Sequence, residues 1–277
     1  MGAVNGGLIL HKYKLLALDL DDTLLDSGGK IPEASKRAIK LARQIGVKVI
    51  FATGRMFASA LPFARELEIE DYLITYEGAL VKHTITNQVL QHLPVPLDLA
   101  IATLDMMEIY DCHINVYLDD IPYIARKTKE SEIYMAISKI PMVEVGNLAN
   151  FLRQRKEEPT KIVVVAPEAM NDQLLSQFRA VFGKKMHIAK SKPNFLEISH
   201  PLGNKGDALA VMAKHYNLTR EEIIAVGDSY NDLEMINYAG LGVVVENARL
   251  EIKARADYVC SSNDECGVAE VVARFIL

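Results

Sequence analysis

Lys14-Leu15-Leu16-Ala17-Leu18-Asp19-Leu20-Asp21-Asp22-Thr23-Leu24 is the stretch that decides the fold. Apolar residues run almost unbroken to Leu18, then give way to three carboxylates and a hydroxyl. An apolar run without alternation is the pattern of a parallel strand buried on both faces. Open α/β sheets bind their ligands outside the carboxyl ends of such strands. Asp19, Asp21 and Asp22 stand at that end. Three acids so close together repel one another unless a cation compensates. A divalent metal satisfies this, with one carboxylate left to attack an electrophile.

Working outward, Ser27-Gly28-Gly29-Lys30 is a loop, and Pro32 starts a helix whose Ala38, Leu41, Ala42 and Ile45 recur at helical spacing before Gly46. Val47 to Ala52 reads as a strand, followed at once by Thr53-Gly54-Arg55. A helix from about Ala58 to Leu67 and a strand at Leu73-Ile74-Thr75 complete a βαβαβ rhythm, which implies a parallel sheet. That last strand leads into Tyr76-Glu77-Gly78-Ala79.

The rhythm then changes. Leu80 to Leu93 reads as a hairpin around Thr86-Asn87, Leu97 to Tyr110 as a helix, and His113 to Leu118 as a half-buried strand. Asp119-Asp120 is a turn. A helix near Glu130 to Ser138, a strand over Lys161 to Ala166 and a helix over Asn171 to Phe182 follow. Core-like segments resume with strands at Phe195 to Ser199, Ile223 to Val226 and Leu241 to Val245. Lys205 opens a helix carrying Leu209, Met212 and Tyr216, and two helices close the chain. The expected architecture is α/β: a doubly wound, mostly parallel sheet interrupted by an inserted α+β domain. The expected boundaries are 1–84 and 192–277 for the core and 85–191 for the insertion.

The sequence has 277 residues, half of them hydrophobic, which suffices for a substantial core. A net charge of −5 without a basic tail argues against nucleic acid as the main partner. Three cysteines, Cys112, Cys260 and Cys266, form no Cys-x-x-Cys pair, which points to a reducing, cytoplasmic setting and thiols in ordinary packing. Met1 to Gly7 reads as a flexible lead, and the Leu8-Ile9-Leu10 run lacks the flanks of a signal peptide. Position 6 is Gly6, so the myristoylation pattern is absent. No stretch approaches the roughly 20 apolar residues of a membrane span.

Four clusters follow, or nearly follow, a core strand: Asp19-Leu20-Asp21-Asp22-Thr23, Thr53-Gly54-Arg55, Gly203-Asn204-Lys205-Gly206 and Gly227-Asp228-Ser229-Tyr230-Asn231-Asp232. Together they supply a nucleophile, metal-ligating carboxylates, a fixed cation and Gly-rich turns, the inventory of phosphoryl transfer. Each has a local alternative. Asp19 could cap a turn, Asp21 a short helix, and Thr53 a helix N-terminus. Lys205 could be a solvated surface lysine, and Asn231-Asp232 an N-cap with a first-turn acid.

In this order the four motifs resemble the haloacid dehalogenase (HAD) superfamily of phosphohydrolases. The long insertion between the second and third resembles the Cof-type subfamily with its large α/β cap. The resemblance covers the chain from about Tyr13 onward. It implies that Asp19 is the nucleophile that forms an aspartyl-phosphate and that Asp21 is the general acid and base. It implies an Mg²⁺ ion bound by Asp19, Asp228 and the backbone carbonyl of Asp21. It implies that Thr53, Gly54, Lys205 and Asn231 contact the phosphoryl group, with Thr23 and Asp232 supporting from behind; Arg55 either guides the substrate or pairs with a core acid. Asp22 is expected to shape the local turn.

The implied activity is that of a Mg²⁺-dependent phosphatase acting on small phosphorylated metabolites of the sugar phosphate, flavin mononucleotide or pyridoxal phosphate kind. The protein is expected in the cytoplasm as a monomer or homodimer, with no nucleic-acid or membrane partner. Two departures bear on substrate choice. Glu77 stands where the family often has Asn, and the loop His200-Pro201-Leu202-Gly203-Asn204 is not its commonest version. A phosphosugar mutase and a non-catalytic phosphate-binding or signalling protein are the alternatives. In the insertion, His113, Asn115, Tyr117, Arg126 and His187 are candidates whose facing the sequence leaves open, with surface or structural roles favoured. The Met106-Met107 pair reads as helix packing.

Overall fold

The computed structural model describes residues 12–277, so the expectations for Met1 to Gly7 and for the Leu8-Ile9-Leu10 run lie outside the described residues. The chain forms two compact units, 12–51 with 209–277, and 52–208.

The first unit begins with β1 (Leu15–Leu18), α1 (Glu33–Gln44) and β2 (Lys48–Phe51). The second contains α2 (Phe57–Glu66), β3 (Tyr72–Thr75), β4 (Leu80–His83), β5 (Val89–His92) and α3 (Leu97–Met107). It continues with β6 (His113–Leu118), β7 (Ile121–Ile124), α4 (Lys129–Ser138), β8 (Val143–Glu144) and α5 (Leu148–Arg155). Then come β9 (Lys161–Val165), α6 (Glu168–Phe182), β10 (His187–Lys192) and β11 (Phe195–Ser199). Helix α7 (Lys205–His215) carries the chain back to the first unit. That unit ends with β12 (Ile223–Gly227), α8 (Leu233–Tyr238), β13 (Leu241–Val245), α9 (Leu250–Lys253), β14 (Tyr258–Cys260) and α10 (Gly267–Phe275).

The first unit is a five-stranded sheet in the order β14-β13-β12-β1-β2, and each neighbouring pair is parallel. Strand β1 sits inside it, and Leu15, Leu16, Ala17 and Leu18 are all fully buried. Burying one such leucine contributes about 1.5–3 kcal/mol, which is why the opening apolar run is a central strand. The chain leaves β1 toward β2 on one side and returns at β12 on the other. The order reverses between β1 and β12, where an open α/β sheet has its ligand crevice. Helix α1 packs on α10, while α8 packs on β12 and β13.

In the second unit, β3, β4 and β5 form an antiparallel sheet. A parallel bridge joins Ala52 to Ile74. Six further strands run in the order β10-β11-β9-β6-β7-β8, antiparallel except for the β7–β8 pair. Here two sequence expectations are corrected. The strand at Leu73-Ile74-Thr75, expected in the parallel sheet, is β3, which pairs antiparallel with β4. The segment Phe195–Ser199 does not resume the parallel core; it pairs antiparallel with β9 and β10. Its apolar residues Leu196 and Ile198 face Val164 and Ile162 of β9, and that cross-strand pairing decides the sheet it joins. One face of the six-stranded sheet buries Val116, Ile162, Val164, Leu196 and Ile198 against helices, including Leu104 of α3, Leu152 of α5 and Phe178 of α6. Met107 is buried in that same cluster and Met106 packs against it.

Burial pushes the Cys112 thiol up to about 11 and the Cys260 thiol up to about 12, so both stay protonated and inert near neutral pH. Among the described residues, no helix is long and apolar enough to cross a membrane.

Candidate active site

The carboxyl ends of β1 and β12 lie side by side because Leu18 pairs with Val226 and the Asp19 N–H donates to the Val226 carbonyl at 3.0 Å. The next residues out are Asp19 and Asp228. Side-chain oxygens of Asp19, Asp228 and Asp232 all lie within 4.8 Å of one another. Asp19 is 5% exposed and Asp232 fully buried. The Thr23 hydroxyl donates to Asp228 Oδ1 at 3.1 Å, tying the two loops together.

Asp232 owes its position to the turn before α8. Its Oδ2 accepts from the backbone N–H groups of Asp228 and Ser229, both at 3.0 Å, in a capping box with Ser229. Only a glycine at 227 leaves room for this. A Cβ there would stand 2.5 Å from Asp232 Cβ and Cγ. We expect Gly227→Ala to cost about 1–3 kcal/mol, as overpacking does, and to push Asp232 out of the carboxylate group. A fall in melting temperature together with lost activity checks this; a variant with wild-type melting and activity refutes it.

After Asp19 the backbone kinks. Asp21 has φ −72° and ψ 131°, Asp22 has φ 58°, and both are exposed. The Asp22 carbonyl accepts from Asn247 Nδ2 at 2.7 Å. Asp22 therefore shapes the turn. Asp21 lies outside the carboxylate group. Asn231, also exposed, accepts from the Ser229 hydroxyl.

The second unit gathers three other segments. Thr53 is 1% exposed; its N–H donates to the Ile74 carbonyl at 2.9 Å, and its Oγ1 accepts from the Arg55 N–H at 3.1 Å. Tyr76 and Glu77 both take the left-handed conformation, at φ 51° and 55°, and Gly78 follows at φ 93°. Such consecutive strain persists only where surrounding bonds over-determine it. Tyr76 N–H donates to Arg55 O at 2.9 Å, Glu77 N–H to Thr53 O at 3.1 Å, and Gln91 Nε2 to Gly78 O at 2.8 Å. A Cβ on Gly78 would lie 2.2 Å from the Asn204 carbonyl oxygen, and one on Gly54 would lie 2.0 Å from Glu77 Oε1. The Thr53-Gly54-Arg55 loop, the Glu77 carboxylate and the residue before Lys205 are thus packed together. Lys205 is fully buried at the first position of α7. Asn204 caps that helix: its Oδ1 accepts from the Asp207 N–H at 2.7 Å, and its Nδ2 donates to Asp207 Oδ2 at 2.8 Å.

The face question left open by the sequence is answered by the register. His113, Asn115 and Tyr117 pair with Val165, Val163 and Lys161, and Glu197 pairs with Val163. These polar side chains share the face opposite the helices. His113 contacts Asn115 Oδ1 at 2.8 Å and Thr128 Oγ1 at 3.2 Å, a structural arrangement that burial accompanies by pushing the imidazole pKa down. Arg126 is exposed beside Asp111, and His187 is exposed. Sequence reasoning missed two residues here. Asp120 accepts from the Tyr76 hydroxyl at 2.8 Å and from the N–H groups of Ala58 and Phe57. It thereby caps α2, which has no local side-chain cap. Burial pushes its carboxyl up, against those donors. Lys161 donates to Gly54 O and to Glu197. No local pattern reveals either, because their partners lie far away in the chain.

Residues 16–272 match the family described as haloacid dehalogenase-like hydrolase. YxeH of Bacillus subtilis is 30% identical over 279 residues, covering 96% of this chain and 99% of that one. The 5-amino-6-(5-phospho-D-ribitylamino)uracil phosphatase YitU of the same organism is 30% identical over 268 residues, covering 95% and 98%. A crystal structure of a haloacid dehalogenase-like hydrolase from Bacteroides thetaiotaomicron superposes with a TM-score of 0.88 at 28% identity, covering 95% and 99%. The chain belongs to the haloacid dehalogenase-like hydrolases, in the Cof-type branch. Within that class it is a phosphatase, a hydrolase of phosphoric monoesters.

Proposed function

We propose that this phosphatase is Mg²⁺-dependent and hydrolyses small phosphorylated metabolites through an aspartyl-phosphate on Asp19. The observation that carries this is the group of three carboxylates at the β1–β12 switch point. Asp19 attacks phosphorus and expels the leaving alkoxide. Asp21, on the exposed kink, donates the proton that the alkoxide takes, then removes one from the water that cleaves the acyl phosphate. Thr53, Gly54, Arg55, Lys205 and Asn231 supply donors and positive charge for the phosphoryl oxygens. Thr23 and Asp232 hold Asp228 and its loop.

The donor set fits a hard cation. It is all carboxylate oxygen, closely spaced and largely buried, which suits Mg²⁺ better than a soft metal. Asp19 and Asp228 are the residues to hold it, joined by the Asp21 carbonyl. Bound there, Mg²⁺ supplies Lewis-acid charge to a phosphoryl oxygen. Substrate choice falls to the six-stranded sheet and its helices, which extend the segment proposed over 85–191 to β11. The activity named for YitU favours a phosphate carried on a polyhydroxylated chain.

Purified protein incubated with Mg²⁺ and a panel of sugar phosphates, flavin mononucleotide, pyridoxal phosphate and a ribityl phosphate tests the reading. Phosphate release that EDTA stops is expected with at least one of them. Failure with every member, and with p-nitrophenyl phosphate, would overturn it.

A further inference from the structure

Lys161 opens β9, yet its ammonium lies 3.2 Å from the carbonyl of Gly54, 107 residues earlier in the chain. The other end of that same peptide group is the Arg55 N–H, which donates to Thr53 Oγ1. Lys161 and Thr53 therefore hold opposite ends of one peptide plane. A hydroxyl oxygen that accepts from this N–H must aim its own hydrogen elsewhere. The remaining Thr53 backbone groups are already committed, its N–H to Ile74 and its carbonyl to Glu77. The orientation of the Gly54–Arg55 peptide thus sets where the Thr53 hydroxyl can donate.

Lys161 is built to hold that orientation. The residue is 6% exposed, and a lysine is so buried only when paired. Glu197 Oε2 accepts from it at 3.0 Å. The rings of Tyr76 and Tyr117 flank the ammonium, with centroids at 5.6 and 5.9 Å. Burial pushes the Glu197 carboxyl up, but the Lys161 ammonium and the Ser191 hydroxyl outweigh it, and the group lies below its ordinary range.

We propose that Lys161 is a positioning residue for phosphoryl binding, fixing the Gly54–Arg55 peptide and through it the donor direction of the Thr53 hydroxyl. This rests on the reading of Thr53 as a phosphoryl contact. A buried ion pair that served stability alone would leave phosphate affinity unmoved in a folded variant. Titration calorimetry with inorganic phosphate reads that affinity without turnover. Lys161→Met is expected to weaken phosphate binding about 10- to 50-fold, as the loss of a charge-assisted bond does. In a Thr53→Ala background the same substitution is expected to change it by less than about 3-fold, because the linked hydroxyl is gone.

Glu197→Gln keeps the test open should Lys161→Met fail to fold. It is expected to weaken binding about 3- to 10-fold, and again only with Thr53 present. Unchanged affinity in a folded variant, or full losses that add in the Thr53→Ala background, overturns the inference. A wild type that hydrolyses phosphate esters while these variants bind phosphate normally sinks this inference alone. A wild type that neither binds phosphate nor releases it sinks the functional reading as well.

Discussion

Asp19→Asn is expected to abolish turnover, lowering kcat by roughly 10⁴-fold or more, as removal of a covalent nucleophile does. The substitution keeps the shape of the side chain and the backbone bond from the Asp19 N–H to the Val226 carbonyl. It also removes one charge from three carboxylates whose oxygens lie within 4.8 Å of one another. Mutual repulsion in that group destabilises the folded state when no cation is present. The variant should therefore melt at or above the wild-type temperature in EDTA while being inactive with Mg²⁺. Activity and melting are separate readouts, so misfolding cannot imitate the expected result. Wild-type turnover by Asp19→Asn removes the nucleophile assignment.

Asp228→Asn carries the second large effect. The Thr23 hydroxyl still finds an oxygen at position 228, so the loop tie is kept. What is lost is a full negative charge beside Asp19. We expect the Mg²⁺ concentration for half-maximal activity to rise at least about 10-fold, and kcat/KM at saturating Mg²⁺ to fall by roughly 10²- to 10⁴-fold. The measurement is a Mg²⁺ titration of phosphate release. An unchanged half-saturation point with an unchanged rate shows that position 228 does not ligate the metal. Asp232 should behave differently, because its Oδ2 is occupied by the Asp228 and Ser229 N–H groups. Its loss acts through the loop that presents Asp228.

The turn at Tyr76, Glu77 and Gly78 is strained. Two non-glycine residues in the left-handed region cost of order 1–3 kcal/mol each. The turn holds because Arg55 and Thr53 accept its N–H groups and Gln91 and Asp120 grip its far side. Strain maintained next to the Thr53-Gly54-Arg55 loop places the Glu77 carboxylate against Gly54. That is where the sequence departs from the commoner Asn of the family.

The sequence by itself determined the parallel core and the motif order. Leu15 to Leu18 is apolar without alternation and is followed by acids, the pattern of a strand buried on both faces whose carboxyl end meets polar groups. The helix that opens at Lys205 was legible as well, from the helical spacing of Leu209, Met212 and Tyr216. The tertiary structure alone decided which sheet Phe195–Ser199 joins, because strand partners are chosen by cross-strand packing and a five-residue strand does not name its partners. It alone showed His113, Asn115, Tyr117, Lys161 and Glu197 on one face, since a single strand's alternation does not say which side is covered. Lys161 with Gly54 and Asp120 with the start of α2 are long-range hydrogen bonds. Such bonds carry no local signature, for they form only when the folded chain brings a donor and an acceptor within about 3 Å.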